Sequence, residues 1–107
     1  MHIQFLYLTT KGWKTGKLHR IEIWFVEHDK RYYVTSERGE RAHWIQNIMH
    51  HQIVSFNVNN MPFEGSARIL DQARDPELSA LITKLMREKY GWGDGLTVEL
   101  SSNPLLN

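Results

Sequence analysis

The sequence contains no cysteine, only three prolines and no long apolar run. Without cysteine the protein has no disulfide, no zinc–thiolate site and no thiol nucleophile, and this composition fits a cytoplasmic address. The first apolar stretch, residues 3–8, is too short for a signal peptide or a membrane-spanning segment. We therefore expect a soluble, cytoplasmic protein with no stable insertion into a membrane.

The sequence also lacks an excess of either charge. Lys and Arg number 13, Asp and Glu number 12, and the formal net charge is +1. This balance gives no overall field that would attract nucleic acid or an anionic membrane, so any anion site must be local. A chain of 107 residues is long enough for one core and too short for two, which predicts a single domain over residues 1–107.

The most informative stretch is a basic loop at residues 9–20. It contains Gly12 and Gly16 together with four cationic side chains: Lys11, Lys14, Lys17 and Arg20. Glycines permit backbone conformations in which successive N–H groups turn toward one anion. The spacing is not that of a Walker A loop, because three residues separate the glycines and Leu18 follows the last lysine. Two interpretations remain open: a phosphate-binding loop, or a solvated hairpin whose lysines protect a sheet edge.

Residue periodicity predicts five or six strands and two helices. Alternating apolar residues or strand-forming composition mark the strands: residues 3–9, 18–27, 32–36, 53–58, 63–70 and 97–100. One helix surrounds Trp44, and a longer one begins at Asp75-Pro76, by N-cap and first-turn proline logic, and runs to Tyr90. Antiparallel hairpins in a chain this short favour a small barrel, because closure hides strand edges. A second copy is expected to cover exposed aromatic faces, giving a homodimer.

The histidines do not predict a metal site. His43, His50 and His51 fall close together, but their spacing matches no usual ligand pattern and no carboxylate lies beside them. We interpret them as solvent-facing side chains near the ends of a helix, and we expect no bound metal.

Five blocks of sequence carry a family resemblance. They are Thr9-Thr10-Lys11-Gly12-Trp13-Lys14-Thr15-Gly16-Lys17-Leu18-His19, Ile21-Glu22-Ile23-Trp24-Phe25, Ser36-Glu37-Arg38-Gly39, Trp44-Ile45-Gln46-Asn47 and Lys89-Tyr90-Gly91-Trp92. In this order they resemble the deazaflavin-dependent nitroreductase family, a group of small split β-barrels related to pyridoxamine-phosphate oxidases. The resemblance extends from about Tyr7 to Trp92, and its first block is the most specific. Trp13 stands where members usually have a small residue or Arg.

The resemblance implies a fold and an activity. The fold is a mainly β split barrel with two helices. The activity is hydride transfer from the reduced deazaflavin coenzyme, factor 420, to a small electron acceptor such as a quinone or an activated nitro compound. More distant relatives use FMN instead. Because the coenzyme carries out the difficult step, the absence of a catalytic triad does not exclude an enzyme.

The resemblance also implies roles for particular residues. The phosphate tail would be held by Lys14, Thr15, Lys17 and His19. The deazaflavin ring would be held by Trp24, Thr35, Ser36, Arg38, Gly39, Arg41 and Trp44. Tyr90 would lie near the substrate and donate a proton as the catalytic residue. The commoner structural roles stand beside these: solvated lysines, a polar turn, and aromatic side chains that fill a core.

Three classes of function are therefore open. The first is a deazaflavin-dependent reductase. The second is an FMN-binding split barrel, or a carrier that binds flavin or deazaflavin without turnover. The third is a small barrel that binds single-stranded nucleic acid through its basic loop and aromatic side chains. The near-neutral charge counts against the third, so we expect no nucleic-acid partner.

Overall fold

A computed structural model describes residues 4–102 of the protein. Its seven strands are β1 (Phe5–Lys11), β2 (Leu18–Trp24), β3 (Val26–His28), β4 (Arg31–Ser36), β5 (Ile53–Val58), β6 (Met61–Ile69) and β7 (Leu96–Ser102). They form one antiparallel sheet in the order β2-β1-β5-β6-β7-β4-β3. Two helices are α1 (His43–His50), which follows a 3-10 turn at Gly39–Arg41, and α2 (Pro76–Tyr90).

The sheet curls because its two edge strands are neighbours in sequence. Only Phe25 separates β2 from β3, yet these strands lie at opposite edges of the sheet. The chain therefore bends at Phe25, whose side chain is buried in the core, and brings the two edges together. The prediction of one continuous strand over residues 18–27 was wrong, because closing the barrel divides that stretch in two.

Tight turns at two hairpins set the strand register. Asp29-Lys30 and Asn59-Asn60 have positive φ at both positions, which is the geometry of type I′ turns. The second turn pairs Val58 with Met61 and so aligns β5 with β6. Both turns fall in the intervals between predicted strands, after residues 18–27 and after residues 53–58.

Two apolar clusters hold the elements together. The barrel interior is closed by α1, whose Ile45 and Ile48 pack among the buried strand residues. The second cluster lies between the outer face of β4 and α2, where Tyr33 meets Ile82 and Met86. Within residues 4–102 neither helix combines the length and the apolar character needed to cross a bilayer.

The start of α2 differs from the prediction in one respect. Asp75 does precede the helix, and Pro76 is its first residue, but the Asp75 carboxylate makes no side-chain cap to the helix. It instead accepts hydrogen bonds from Arg68 Nη1 at 3.1 Å and from the N–H of Asp71 at 3.2 Å. Gly91, with φ of +85°, ends the helix in a left-handed cap.

A polar cluster, which we call the Glu99 network, consists of Tyr33, Arg68, Asp75 and Glu99. The Glu99 carboxylate is only 8% exposed and accepts hydrogen bonds from the Tyr33 hydroxyl at 2.8 Å and from Arg68 Nε at 3.2 Å. Burial, and then the bond to Glu99, raise the pKa of Tyr33 well above its ordinary value. The network joins β4, β6 and β7 to the start of α2.

Candidate functional site

The basic loop is a compact hairpin connection between β1 and β2. The N–H of Gly12 donates to the carbonyl of Lys17 at 2.7 Å, and the N–H of Gly16 donates to the carbonyl of Gly12 at 2.8 Å. Gly16 has φ of +75°, which favours glycine. In residues 4–102 the N–H groups of Lys14 and Thr15 meet no protein acceptor. The loop therefore retains two adjacent backbone donors.

Two side chains lie close to Gly12. A Cβ added there would lie 3.0 Å from Nε2 of His19 and 3.0 Å from Oγ1 of Thr15. These contacts are tighter than ordinary van der Waals separation, so a larger residue would push His19 or the loop aside. The loop thus forms a narrow concave surface with polar side chains on its walls.

A cleft of about 760 Å³ opens between this loop, β2 and α1, and we call it the basic cleft. Its lining is Gly12, Trp13, Lys14, Thr15, His19, Arg20, Ile21, Arg38, Ala42, His43, Trp44, Gln46 and Asn47. Ion pairs between residues 4 and 102 involve only Arg68 and Arg87 as cations. Among the residues that the structure describes, the cations of the basic cleft therefore have no carboxylate partner, which is the charge distribution of an anion-binding site.

Helix α1 contributes one face of the basic cleft. His43, Gln46 and Asn47 lie at i, i+3 and i+4, so they share that face. None of the three was among the predicted site residues. Their spacing in the sequence is the signal that would have found them, once α1 was placed beside the loop.

A second space of about 360 Å³, which we call the aromatic cavity, is lined by Glu22, Ile23, Trp24, Thr35, Glu37, Met86 and Trp92. Trp24 lies 6.3 Å from Trp92 between ring centroids. Thr35 is only 4% exposed, and its Oγ1 has no hydrogen-bond partner in the part of the chain that the structure describes. A buried hydroxyl without a partner is costly, and a bound ligand with a polar atom would remove that cost.

The two spaces adjoin each other along the chain. Ile21 lines the basic cleft, and Ile23, two residues further along β2 and therefore on the same face of that strand, lines the aromatic cavity. Glu37 and Arg38, which are consecutive in the turn after β4, line the aromatic cavity and the basic cleft respectively. A ligand with an anionic end and a flat ring therefore finds both kinds of surface in one region of the protein.

The structure distributes the predicted site residues among four places. The basic cleft contains Lys14, Thr15, His19, Arg38 and Trp44, whereas the aromatic cavity contains Trp24 and Thr35. Ser36 and Gly39 form the turn after β4, where the Ser36 hydroxyl donates to the Gly39 carbonyl at 2.9 Å. Lys17 and Arg41 are exposed and line neither space. The ligand roles of all these residues stay predictions.

Tyr90 lies beneath the aromatic cavity. Its ring stacks on Trp24 at 4.7 Å, and its hydroxyl lies 2.5 Å from the carbonyl of Phe25 and 2.7 Å from that of Gln4. The same hydroxyl accepts the N–H of Phe25 at 3.2 Å, and burial raises the pKa of Tyr90. These contacts favour a packing role; proton donation by Tyr90 stays a prediction.

Several solved structures share this architecture. HutZ, the heme storage protein from Vibrio cholerae, aligns with a TM-score of 0.77 and 19% identity over 94% of this chain and 82% of that chain. An F420-H2 dependent reductase, FDR-A, aligns with a TM-score of 0.74 and 21% identity over 94% and 99%. A putative pyridoxamine 5'-phosphate oxidase from Listeria innocua aligns with a TM-score of 0.74 and 12% identity over 94% and 85%.

The curled sheet and these likenesses define the protein as a split β-barrel, which confirms the predicted fold class. Residues 1–97 match the model of the F420H(2)-dependent quinone reductase family, and the chain belongs to that family. The predicted cofactor, the deazaflavin coenzyme, is the one that this family uses. No protein with a curated description matches the chain significantly.

The residues present fit this coenzyme. Its charged tail requires cations and N–H donors. The basic cleft offers Lys14, His19 and Arg38, which have no carboxylate partner within the described residues 4–102, together with two N–H groups that meet no acceptor there. Its flat ring requires aromatic surfaces and polar atoms at the edge, which are present where the basic cleft adjoins the aromatic cavity.

Proposed function

We propose that the protein is an oxidoreductase that uses the reduced deazaflavin coenzyme to pass a hydride to a small acceptor, such as a quinone or a nitro compound. Family membership supports the coenzyme. The observation that carries the proposal is the pair of adjoining spaces: a cleft of unpaired cations beside an aromatic cavity with an unpaired hydroxyl. The acceptor class rests on the family and on the shape of that cavity.

The loop end of the basic cleft suits the anionic tail. The Lys14 ammonium is a compact charge that binds phosphate well, and the N–H groups of Lys14 and Thr15 would complete the phosphate's hydrogen bonds. His19 adds a ring nitrogen to the same cleft, and its Nε2 lies 3.0 Å from the position that a Cβ at Gly12 would take. Lys17 lies outside the cleft and would contribute only to its positive potential.

The end of the cleft near Arg38 and Trp44 suits the ring. Once bound, the reduced coenzyme supplies the hydride, and no protein nucleophile is needed. The Arg38 guanidinium would offset the negative charge of the reduced ring, since no carboxylate competes for it in residues 4–102. Ser36 and Gly39 would act by holding the turn that carries Arg38. Arg41 would extend the positive rim.

The aromatic cavity is our proposed acceptor site. Trp24 and Trp92 provide apolar walls, and Tyr90 supports Trp24 from behind by stacking. The Thr35 hydroxyl can donate to a carbonyl or nitro oxygen and so orient the acceptor.

We also propose that the protein forms a homodimer. Phe5, Leu18, Ile53 and Met61 are large apolar side chains exposed on the strands. A second copy would cover such side chains and add burial that one small barrel lacks. Light scattering over a range of concentrations measures the mass; a monomer throughout would remove this part of the proposal.

The function is tested by titrating the purified protein with the deazaflavin coenzyme and, separately, with FMN. We expect saturable deazaflavin binding, followed by rapid coenzyme oxidation when menadione or a nitroarene is added. Binding without acceleration would instead identify a carrier. Preference for FMN, or salt-sensitive binding of a labelled single-stranded oligonucleotide, would support the corresponding alternative.

A further inference from the structure

We propose that Asn47 is a positioning residue that holds the basic loop in the shape required to bind the anionic tail of the coenzyme. The inference rests on the proposed function and concerns a residue outside the sequence-based prediction of the site. It follows from how one buried amide joins three separate parts of the chain.

Asn47 lies on the inner face of α1 and is only 6% exposed. Its Nδ2 donates to Oγ1 of Thr10 at 3.0 Å, and its Oδ1 accepts the backbone N–H of Trp13 at 3.2 Å. Thr10 is itself buried near the end of β1. The amide therefore connects the helix both to the strand that enters the loop and to the loop.

The connection to Asn47 affects the backbone N–H donors of the loop. The N–H groups of Gly12, Gly16 and Lys17 find acceptors within the loop itself, whereas the N–H of Trp13 depends on Asn47. The next two N–H groups along the chain are the ones without a protein acceptor. Fixing the peptide before Trp13 fixes the orientation of the peptides that follow, so these free donors are oriented before the anion arrives.

The side chain of Trp13 is held by the same helix. Its ring stacks on His50 with the centroids 4.2 Å apart and the planes 10° from parallel. Helix α1 thus holds Trp13 at both its backbone and its side chain. Of these two contacts, only the Asn47 bond acts directly on the peptide that leads to the free donors.

An asparagine suits this position for two reasons. Its side chain carries both a donor group, Nδ2, and an acceptor, Oδ1, and the Thr10 and Trp13 contacts use one of each. It is also uncharged, so it adds no repulsion beside a site for an anion. An aspartate can accept hydrogen bonds from both partners but brings a negative charge, while a leucine of similar size makes neither bond. These two variants separate geometry from charge.

The experiment compares Asn47→Leu, Asn47→Asp and Thr10→Val with the unmodified protein. Amide hydrogen exchange of Trp13 is measured in the coenzyme-free protein, and the Kd of the oxidised coenzyme is measured by fluorescence. In Asn47→Leu we expect Trp13 exchange to be about tenfold faster and the Kd to rise about tenfold. The kcat at saturating coenzyme should stay within about twofold, because the tail is remote from the hydride.

Asn47→Asp should keep Trp13 exchange slow, while its Kd rises and the rise shrinks as salt is added. Thr10→Val, which removes one of the two bonds, should fall between the unmodified protein and Asn47→Leu. Asn57→Leu makes the same chemical change on β5, away from both spaces, and should leave exchange and Kd unchanged.

Unchanged Trp13 exchange in folded Asn47→Leu would overturn the proposal, as would an unchanged Kd. A lower kcat with no change in Kd would overturn it as well. If Asn47→Leu does not fold, Asn47→Asp and Thr10→Val decide by the same measurements. If the unmodified protein binds no deazaflavin, the proposed function fails; exchange together with pyrophosphate binding then still decides the role of Asn47.

Discussion

The Glu99 network and the basic cleft differ in whether their cationic side chains have carboxylate partners. In the network, Arg68 lies between two carboxylates, at 3.2 Å from Glu99 and 3.1 Å from Asp75. In the cleft, Lys14 and Arg38 have no carboxylate partner among residues 4–102. Charges that are paired within the chain are already satisfied by the fold, whereas charges left unpaired at a concave surface are available to a ligand.

The same contrast occurs at two hydroxyl groups on strand β4. Tyr33 and Thr35 are two residues apart, so their side chains lie on one face of the strand, and both are buried. The Tyr33 hydroxyl donates to Glu99 at 2.8 Å, but the Thr35 hydroxyl has no partner. Strand β4 therefore carries one hydroxyl that is bonded within the fold, on Tyr33, and one that is available to a ligand, on Thr35.

The largest expected effect is the loss of stability when the Glu99 network is disrupted. Glu99→Ala should lower the free energy of unfolding by about 2 to 3 kcal/mol, because the buried Tyr33 hydroxyl loses its acceptor. Urea denaturation measures the change, and coenzyme Kd should not move. Glu64→Ala, at an exposed position on β6, is the matched control. A loss equal to that of the control would remove the structural role assigned to the network.

Lys14→Ala should weaken coenzyme binding and leave stability almost unchanged, which is the opposite of the effect expected for Glu99→Ala. Coenzyme binding should weaken by about 1 to 2 kcal/mol, since a charge-assisted hydrogen bond to the tail is lost, while unfolding changes by less than about 0.5 kcal/mol. Fluorescence titration and urea denaturation report the two quantities. Lys84→Ala removes an exposed lysine from α2 and serves as the control. Equal coenzyme affinity in both variants would contradict the phosphate assignment.

Thr35→Val removes a hydroxyl that has no partner in the fold. Stability should therefore be unchanged or slightly higher, whereas the KM for the acceptor should rise by about five-fold, which is roughly 1 kcal/mol. Steady-state kinetics at saturating coenzyme and thermal unfolding give both values. A clear loss of stability would mean that this hydroxyl serves the fold after all.

The smallest effect concerns acid stability. The N–H of Asp71 and then Arg68 lower the pKa of Asp75 below its ordinary value of about 4. A lowered pKa in the folded state gives stability that is present above the unfolded pKa and is lost as pH falls through the folded pKa. Asp75→Asn should thus melt slightly below the unmodified protein at pH 7, and the two melting curves should converge in acid. A constant difference across pH would contradict this origin.

Local patterns predicted the elements whose shape is decided locally. The alternation of Val54, Phe56 and Val58 gave β5 its observed bounds, and Asp75-Pro76 marked the start of α2. The break at Phe25 was not predicted from the sequence, because the break results from the curling of the whole sheet. A local stretch of sequence carries no information about that curling. The helix cap expected of the Asp75 side chain does not form, because Arg68 from β6 binds the carboxylate instead.

The site shows the same division. Lys14, Thr15 and His19 meet in the basic cleft because one short loop carries them. Arg38 and Trp44 were predicted from the family resemblance. They line the same cleft because of how α1 packs against the barrel. Asn47 reads in the sequence like any polar residue on a helix, because only tertiary packing buries its amide.

Strand β7 is the last of the seven strands to leave the ribosome, yet it lies between β6 and β4. Its Leu96 and Thr97 pair with Ser36 and Thr35. A growing chain can therefore assemble the half of the sheet that bears the basic loop, but it must wait for β7 to join the half that bears Thr35. The half of the sheet that bears the basic loop can therefore form before β7 is synthesised, and the half that bears Thr35 becomes attached to it only after β7 has been made.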